Sequence, residues 1–276
     1  MTETPSVPSR YERGLAILRQ VGGEGRPSPL DALADIAPDL GRMAVEFGYC
    51  DIYSRPGLTL RQRQIINIAA LTALGTGAPQ LRFHIDGALN VGVTRTEIVE
   101  TIIHLSVYAG FPAALNGLTV ARAAFTDRPE TEQPPAPSQI RPEETTDERY
   151  RRGLAELSRV DGHAGEQVVT ALADIAPDLA RYLVEFSFAD VYSRTGLDLP
   201  TRELATVAAC TAMGTAGPQL RVHLHGLLNV GGTREEAVET IMQMAGYAGF
   251  PAALNGIAAA REVFAERDAT GPAADR

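Results

Sequence analysis

Apolar side chains recur along most of this chain at intervals of three and four residues, the spacing of one helix face. Ile98, Ile102 and Leu105 set that period in one stretch, and Ala237, Ile241 and Met244 set it in another. Thr94-x-x-Glu97 and Thr233-x-x-Glu236 precede them as capping boxes, each after a glycine (Gly92 or Gly231) suited to closing the previous helix. Gly110 and Gly249 can end these helices, and Pro112 and Pro251 then fall at the first position of the next. The same reasoning predicts helices over 10–20, 38–53, 61–74, 79–91, 95–109 and 112–125, with counterparts later in the chain. Strand-like alternation is absent. The expected fold class is all-α, two homologous helical bundle domains in tandem.

The two halves are one pattern used twice. Tyr11 to Phe125 realign on Tyr150 to Phe264 without a gap, at a constant offset of 139 residues, and about half the aligned positions match. The expected domains are therefore 10–125 and 150–265. Residues 126–149, TDRPETEQPPAPSQIRPEETTDER, are rich in Pro and Glu and nearly free of large apolar residues, which reads as an extended linker. The last ten residues read as a loose tail.

Composition narrows the class. With 276 residues, 45% of them hydrophobic, each copy is long enough to bury a core. No apolar run approaches the roughly 18–20 residues of a membrane span. The opening MTETPSVPSRYERG lacks a basic segment followed by an apolar one, which argues against secretion and for a cytoplasmic protein. A net charge of −9 without a long basic run argues against nucleic acid and anionic membranes as partners. Cys50 and Cys210 are not counterparts, and neither lies in a CxxC, so a disulfide framework, a redox dithiol and a zinc cage are not expected. No GxGxxG, GxxxxGK[ST], GxSxG or HExxH occurs, and no cofactor or metal is expected.

Positions held in both copies single out the candidate chemistry. His84 and His223 are the one histidine pair at equivalent positions, each in PQLR-x-H with Gly87 or Gly226 three residues on. A core histidine satisfied by a carbonyl is the competing reading. Retention while Phe83/Val222 and Asp86/His225 have changed favours a general acid or base. Arg63 and Arg202 open a helix, the wrong end for its dipole; with exposed amides and a forked donor they would make a carboxylate site. Arg55/Arg194 and Arg82/Arg221 rank behind them as interface or linker-facing ion pairs. His104 has no twin, since Gln243 stands there, and reads as a half-buried polar residue. Tyr108/Tyr247 and Phe111/Phe250 read as core anchors; Asp51/Asp190 and Tyr53/Tyr192 read equally as pocket hydrogen-bonders or helix-end caps.

RPGLTLRQRQIINIAALTALG, followed by LRFHIDGALNVGVTRTEIVETIIHLSVYAGFPAALNG, strongly resembles the carboxymuconolactone decarboxylase family. SRTGLDLPTRELATVAACTAMG with LRVHLHGLLNVGGTREEAVETIMQMAGYAGFPAALNG resembles it equally, so the likeness spans roughly 30–125 and 169–264. The resemblance implies an all-helical fold, similar to alkyl-hydroperoxidase-like proteins, and rings of six domains, hence a homotrimer of this chain. Those peroxidases use a CxxC that this chain lacks, which disfavours peroxide reduction. His84 and His223 match the family's histidine in H-x-x-x-A-L-N, Arg63 and Arg202 its helix-opening arginine, and His104 the second histidine of the decarboxylases. The resemblance thus implies His84, His223 and His104 as catalytic residues. It implies Arg63 and Arg202 as substrate-binding ones, and Tyr108, Tyr247 and Glu203 stand beside them as further substrate-binding candidates. Gln64 and Glu203 stand where the decarboxylases usually have serine, and Asp86 and His225 where a basic residue is usual, which implies a small acid or lactone other than theirs.

The implied function is a cofactor-independent carbon–carbon lyase acting on a small lactone or related acid. A carboxylate leaves, its electrons enter the lactone carbonyl, and a histidine protonates the resulting enolate. A cofactor-free cyclase, isomerase or lactone-handling enzyme of secondary metabolism is the alternative, and a non-catalytic ligand-binding or scaffold oligomer a second. With independent sites in each bundle, copy one would be the more faithful catalyst, because it alone keeps both His84 and His104.

Overall fold

The computed structural model describes residues 8–23, 31–131, 137–162 and 164–270. All regular structure among them is helical. The first copy runs α1 (Arg10–Gly22), α2 (Pro38–Met43), α3 (Leu60–Leu74), α4 (Ala78–Asn90), α5 (Arg95–His104) and α6 (Ser106–Thr126). The second runs α7 (Thr146–Asp161), α8 (Ala164–Ala171), α9 (Pro177–Tyr182), α10 (Leu199–Met213), α11 (Gly217–Asn229), α12 (Arg234–Gln243), α13 (Ala245–Ala248) and α14 (Phe250–Thr270). The capping boxes at Thr94 and Thr233 form as expected. Gly110 and Gly249 adopt φ of 81° and 86°, the left-handed side that only glycine takes cheaply, and break the chain before Pro112 and Pro251.

The predicted helix over 38–53 forms in two registers. After α2 and α9 the chain widens into π-helix over Ala44–Tyr53 and Leu183–Tyr192. Such segments are rare and gather at functional sites. Each ends on a buried tyrosine, Tyr53 or Tyr192, aimed inward. The first helix of each copy lies close against this segment through a glycine. A Cβ on Gly14 would sit 2.5 Å from the Val45 carbonyl oxygen, and one on Gly153 2.3 Å from that of Val184.

The two copies do not pack as separate bodies. Residues 63–72 of α3 and 202–212 of α10 are buried without interruption, so neither helix has a solvent face. One core cluster joins Ile66 and Ala70 to Leu204, Val207 and Ala208; a second joins Ile65, Ile68 and Ala69 to Ala205 and Ala209. Small side chains at this seam let the two helices approach closely. The expected linker is also shorter than 126–149: α6 runs through Thr126, and a Thr145–Glu148 capping box starts α7 at Thr146. Residues 132–136 lie outside the described residues. Gln139 accepts a hydrogen bond from the Thr195 amide, and Glu144 pairs with Arg152 at 2.5 Å, which ties the end of the connection to the second copy. The expected tail from 267 is helical through Thr270.

Candidate active site

Each retained histidine meets residues of the opposite copy. His84 on α4 faces Tyr247 on α13, whose hydroxyl lies 3.0 Å from Nε2. His223 on α11 faces Tyr108 on α6, at 3.2 Å from Nε2. Each cluster therefore draws on both copies, whereas independent sites within each bundle are the assumption made from the sequence. His104 moves accordingly. It is fully buried and reaches Thr206 of α10 at 2.7 Å, with its ring against Tyr108 and Tyr192, so it belongs to the site of His223 and not to that of His84. Gln243, its counterpart, serves the site of His84 through Asn67 at 2.7 Å.

Around His84 every hydrogen bond closes without a charge. The Nδ1–H donates to the Gln64 carbonyl oxygen at 2.8 Å, which leaves Nε2 to accept from Tyr247. Tyr53 donates to Tyr247 at 3.2 Å and accepts from the Asn67 amide. Burial lowers His84 to about 3, with no carboxylate beside it to oppose that. The imidazole is neutral at any physiological pH.

Around His223 the skeleton is the same and the proton count is not. His223 Nδ1 lies 2.9 Å from Glu203 Oε2, and Tyr192 donates to Glu203 Oε1 at 2.6 Å. Tyr108 lies 2.6 Å from Tyr192 and 3.2 Å from His223 Nε2, closing a ring. A neutral imidazole, two phenols and a carboxylate offer three protons for these four contacts. One more is needed, and it fits on His223, whose Nε2–H then donates to Tyr108, which donates to Tyr192. Burial raises the phenols of Tyr108 and Tyr192 well above their usual range, reinforced by the charge of Glu203, so both remain O–H. Burial alone would lower His223, but the attraction and hydrogen bond of Glu203 outweigh it and leave it raised. Asp161, at the end of α7 where the first copy has Gly22, is pushed up to about 6 by burial and adds a further carboxyl beside this ring.

Arg63 and Arg202 require a correction. Both are fully buried rather than presented with exposed amides, and each already holds a carboxylate across the seam. Arg63 bonds Glu239 at 3.0 Å, Gln243 at 2.7 Å and the Arg55 carbonyl at 2.9 Å. Arg202 bonds Glu100 at 3.1 Å and the Arg194 carbonyl at 3.0 Å, while its Nη1 finds no partner among the described residues. Arg55 and Arg194 share the same carboxylates, as interface ion pairs. Burial would raise Glu100, but Arg194 and Arg202 hold it below its usual range. Arg82 pairs with Asp86 and with Asp127, just past α6 at the start of the connection, and Arg221 pairs with Glu262 and Glu266 of its own copy. His225 sits there too, against Glu266 and Arg267, away from the ring. Asp51 and Asp190 bond Arg10 and Arg149 rather than lining a pocket.

Sequence reasoning missed Glu239 and Glu100, and gave Gln64 and Asn67 no role. The available signal was the pairing Gln64/Glu203 beside a retained histidine, an amide exchanged for an acid. Among the described residues, no group of three or more His, Cys, Asp or Glu is placed to hold a metal, and no helix is long and apolar enough to cross a membrane.

The pattern of the carboxymuconolactone decarboxylase family matches residues 38–123 and again 177–262. The chain belongs to that family. A 4-carboxymuconolactone decarboxylase of Acinetobacter baylyi is 37% identical over 119 residues, covering 43% of this chain and 88% of the relative. A nitrosuccinic acid decarboxylase of Metarhizium robertsii is 31% identical over 119 residues, 42% of this chain and 82% of that one. A crystal structure from Burkholderia xenovorans, described as a gamma-carboxymuconolactone decarboxylase subunit, aligns over 96% of this chain and 99% of its own, with a TM-score of 0.59 and 22% identity. At that identity the likeness speaks for the fold. Two family matches in one chain also fit the repeat, with the matched segments spanning the π-helices, both retained histidines and both tyrosines that cross the seam.

Proposed function

We propose that this family member is a cofactor-independent carbon–carbon lyase that decarboxylates a small lactone or related acid, with the second-copy ring as its proton source. The observation that carries this reading is the extra proton that the ring of His223, Glu203, Tyr192 and Tyr108 needs to satisfy its four contacts. The two relatives bearing decarboxylase names support the reaction class.

When CO₂ leaves an acid conjugated to a carbonyl, the carbon–carboxylate bond breaks and its electron pair moves to the carbonyl oxygen. The enolate must then take a proton at carbon. Imidazolium at His223, anchored by Glu203, gives that proton and keeps its Nδ1–H on the carboxylate; a solvent proton restores the ring. Tyr108 and Tyr192, whose O–H groups are spent on Tyr192 and Glu203, hold the imidazolium in place where water is largely excluded. Arg202 adds positive charge on the same side, with its Nη1 donor unspent. His104, held neutral by burial, then Arg202 and His223, positions Thr206 and packs on both phenols.

Small γ-lactone acids should release CO₂ with this enzyme. His223→Ala should cut turnover by about 10²–10⁴ while His84→Ala keeps most of it. Equal losses in the two variants, or no release from any such acid, would reject the assignment. The homotrimer belongs to the same reading. Phe111 and Leu115 stand exposed, as do their counterparts Phe250 and Leu254, and an apolar patch repeated on both copies suits a repeated contact. Light scattering should return the mass of three chains; a stable monomer at micromolar concentration would refute it.

A further inference from the structure

The two sites differ in size as well as in charge. Three positions near the first-copy histidine are smaller than their counterparts: Ala44 for Leu183, Gly48 for Ser187 and Gly246 for Val107. A Cβ built on Gly48 or Gly246 would meet no atom within 4 Å, so both open on empty space. Leu183, by contrast, packs against the core formed by Leu157 and Phe188. The exchanges leave a cavity of about 480 Å³ walled by Phe47, Tyr49 and Phe83, with His84 and Tyr247 at its polar end. That volume falls within the range of roughly 300–1,000 Å³ of small-molecule sites. No Asp, Glu, Lys or Arg lines it.

We propose that this cavity is a second, non-catalytic binding site for a flat, uncharged aromatic molecule carrying one hydroxyl group. Three rings give it faces on which such a molecule packs. The Tyr247 oxygen, which donates to His84 and accepts from Tyr53, keeps one lone pair, enough to accept from a single neutral hydroxyl. An anion would be stripped of water there with no cation in the lining to receive it, since Arg63, behind Gln243, is already paired with Glu239. The low His84 pKa supports the same preference, since the ring stays uncharged. This site goes beyond the decarboxylase reading, and its test reads binding rather than turnover, so either can fail alone.

The chain has no tryptophan, so naphthol fluorescence can be followed without interference. The probes are 2-naphthol and its anionic relative 2-naphthoate, titrated into the full chain. One 2-naphthol should bind per chain, and 2-naphthoate should bind weaker by about tenfold or more. Ala44→Leu and Gly246→Val, which install the second copy's residues, should each weaken 2-naphthol by about tenfold or more. Glu203→Gln should leave its affinity unchanged. Naphthoate binding as tightly as naphthol in the wild type would overturn the proposal without any variant. So would absence of saturable naphthol binding, or binding that survives both filling variants and falls with Glu203→Gln.

Discussion

His84 and His223 stand at the same point of the same helix, and each meets a tyrosine from the opposite copy. On the other ring nitrogen they differ by one functional group: the amide of Gln64 against the carboxylate of Glu203. The amide lets the first ring close with every proton accounted for and no charge. The carboxylate demands one proton more and stores it. Duplication has kept the skeleton and changed the proton count, so that fold similarity between the copies says little about which one reacts.

The sharpest break of this comparison exchanges the two groups. Glu203→Gln should lower decarboxylation by about 10²–10⁴, as expected for loss of a positioned general acid. It should also drop the histidine's titration, read by NMR of the imidazole protons, below its usual range. Gln64→Glu should do the converse and raise His84 from about 3 without creating comparable turnover, since Gln243 still stands in place of His104. Should Glu203→Gln retain full rate, proton storage at this ring plays no part in the reaction.

Next in size comes the seam that assembles both rings. Glu239 and Glu100 are each almost wholly buried, and each neutralises an arginine with no exposure at all. Glu100→Gln and Glu239→Gln leave a buried guanidinium short of its counter-charge, a change that costs about 3–5 kcal/mol. The two losses should be alike, because each arginine keeps two other partners, Gln243 and the Arg55 carbonyl for Arg63 and the Leu197 and Arg194 carbonyls for Arg202, with one N–H unpartnered among the described residues. Urea unfolding of the two variants tests this; a clearly larger loss in one of them would show that the seam is asymmetric.

Much of this fold is written locally. Capping boxes, Gly110 and Pro112 mark helix ends because they satisfy or remove backbone donors within a few residues, and the same signals repeat 139 residues later. The π-helix over Ala44–Tyr53 was legible as a helix but not as a wider one, since an apolar decapeptide carries no signal for an i→i+5 bond. His84 and His223 emerged from retention. His104 falls beside His223 rather than His84 because α5 reaches across the seam to Thr206, whereas contiguity along the chain suggests partners in the same copy. Arg63 misled for a related reason. A helix start is open in sequence, yet here Glu239 from the other copy covers it.

The smallest predicted effect reads the comparison through stability. His84 holds a proton at about 6.5 when unfolded and only near 3 when folded, so between those values the unfolded chain binds more protons than the native one. Its contribution is complete above about 6.5 and declines as pH falls, by up to about 1.4 kcal/mol per pH unit. His104, also depressed by burial, adds to the same acid limb. His223 acts in the opposite sense. Its folded pKa is raised, so its contribution is full below the unfolded value and is lost as pH climbs through the folded one. His84→Gln should therefore flatten the acid side of a urea-midpoint curve and leave the alkaline side alone, while His223→Gln should flatten the alkaline side. If both variants flattened the same limb, the two histidines would share one charge state and the division between the copies would fall.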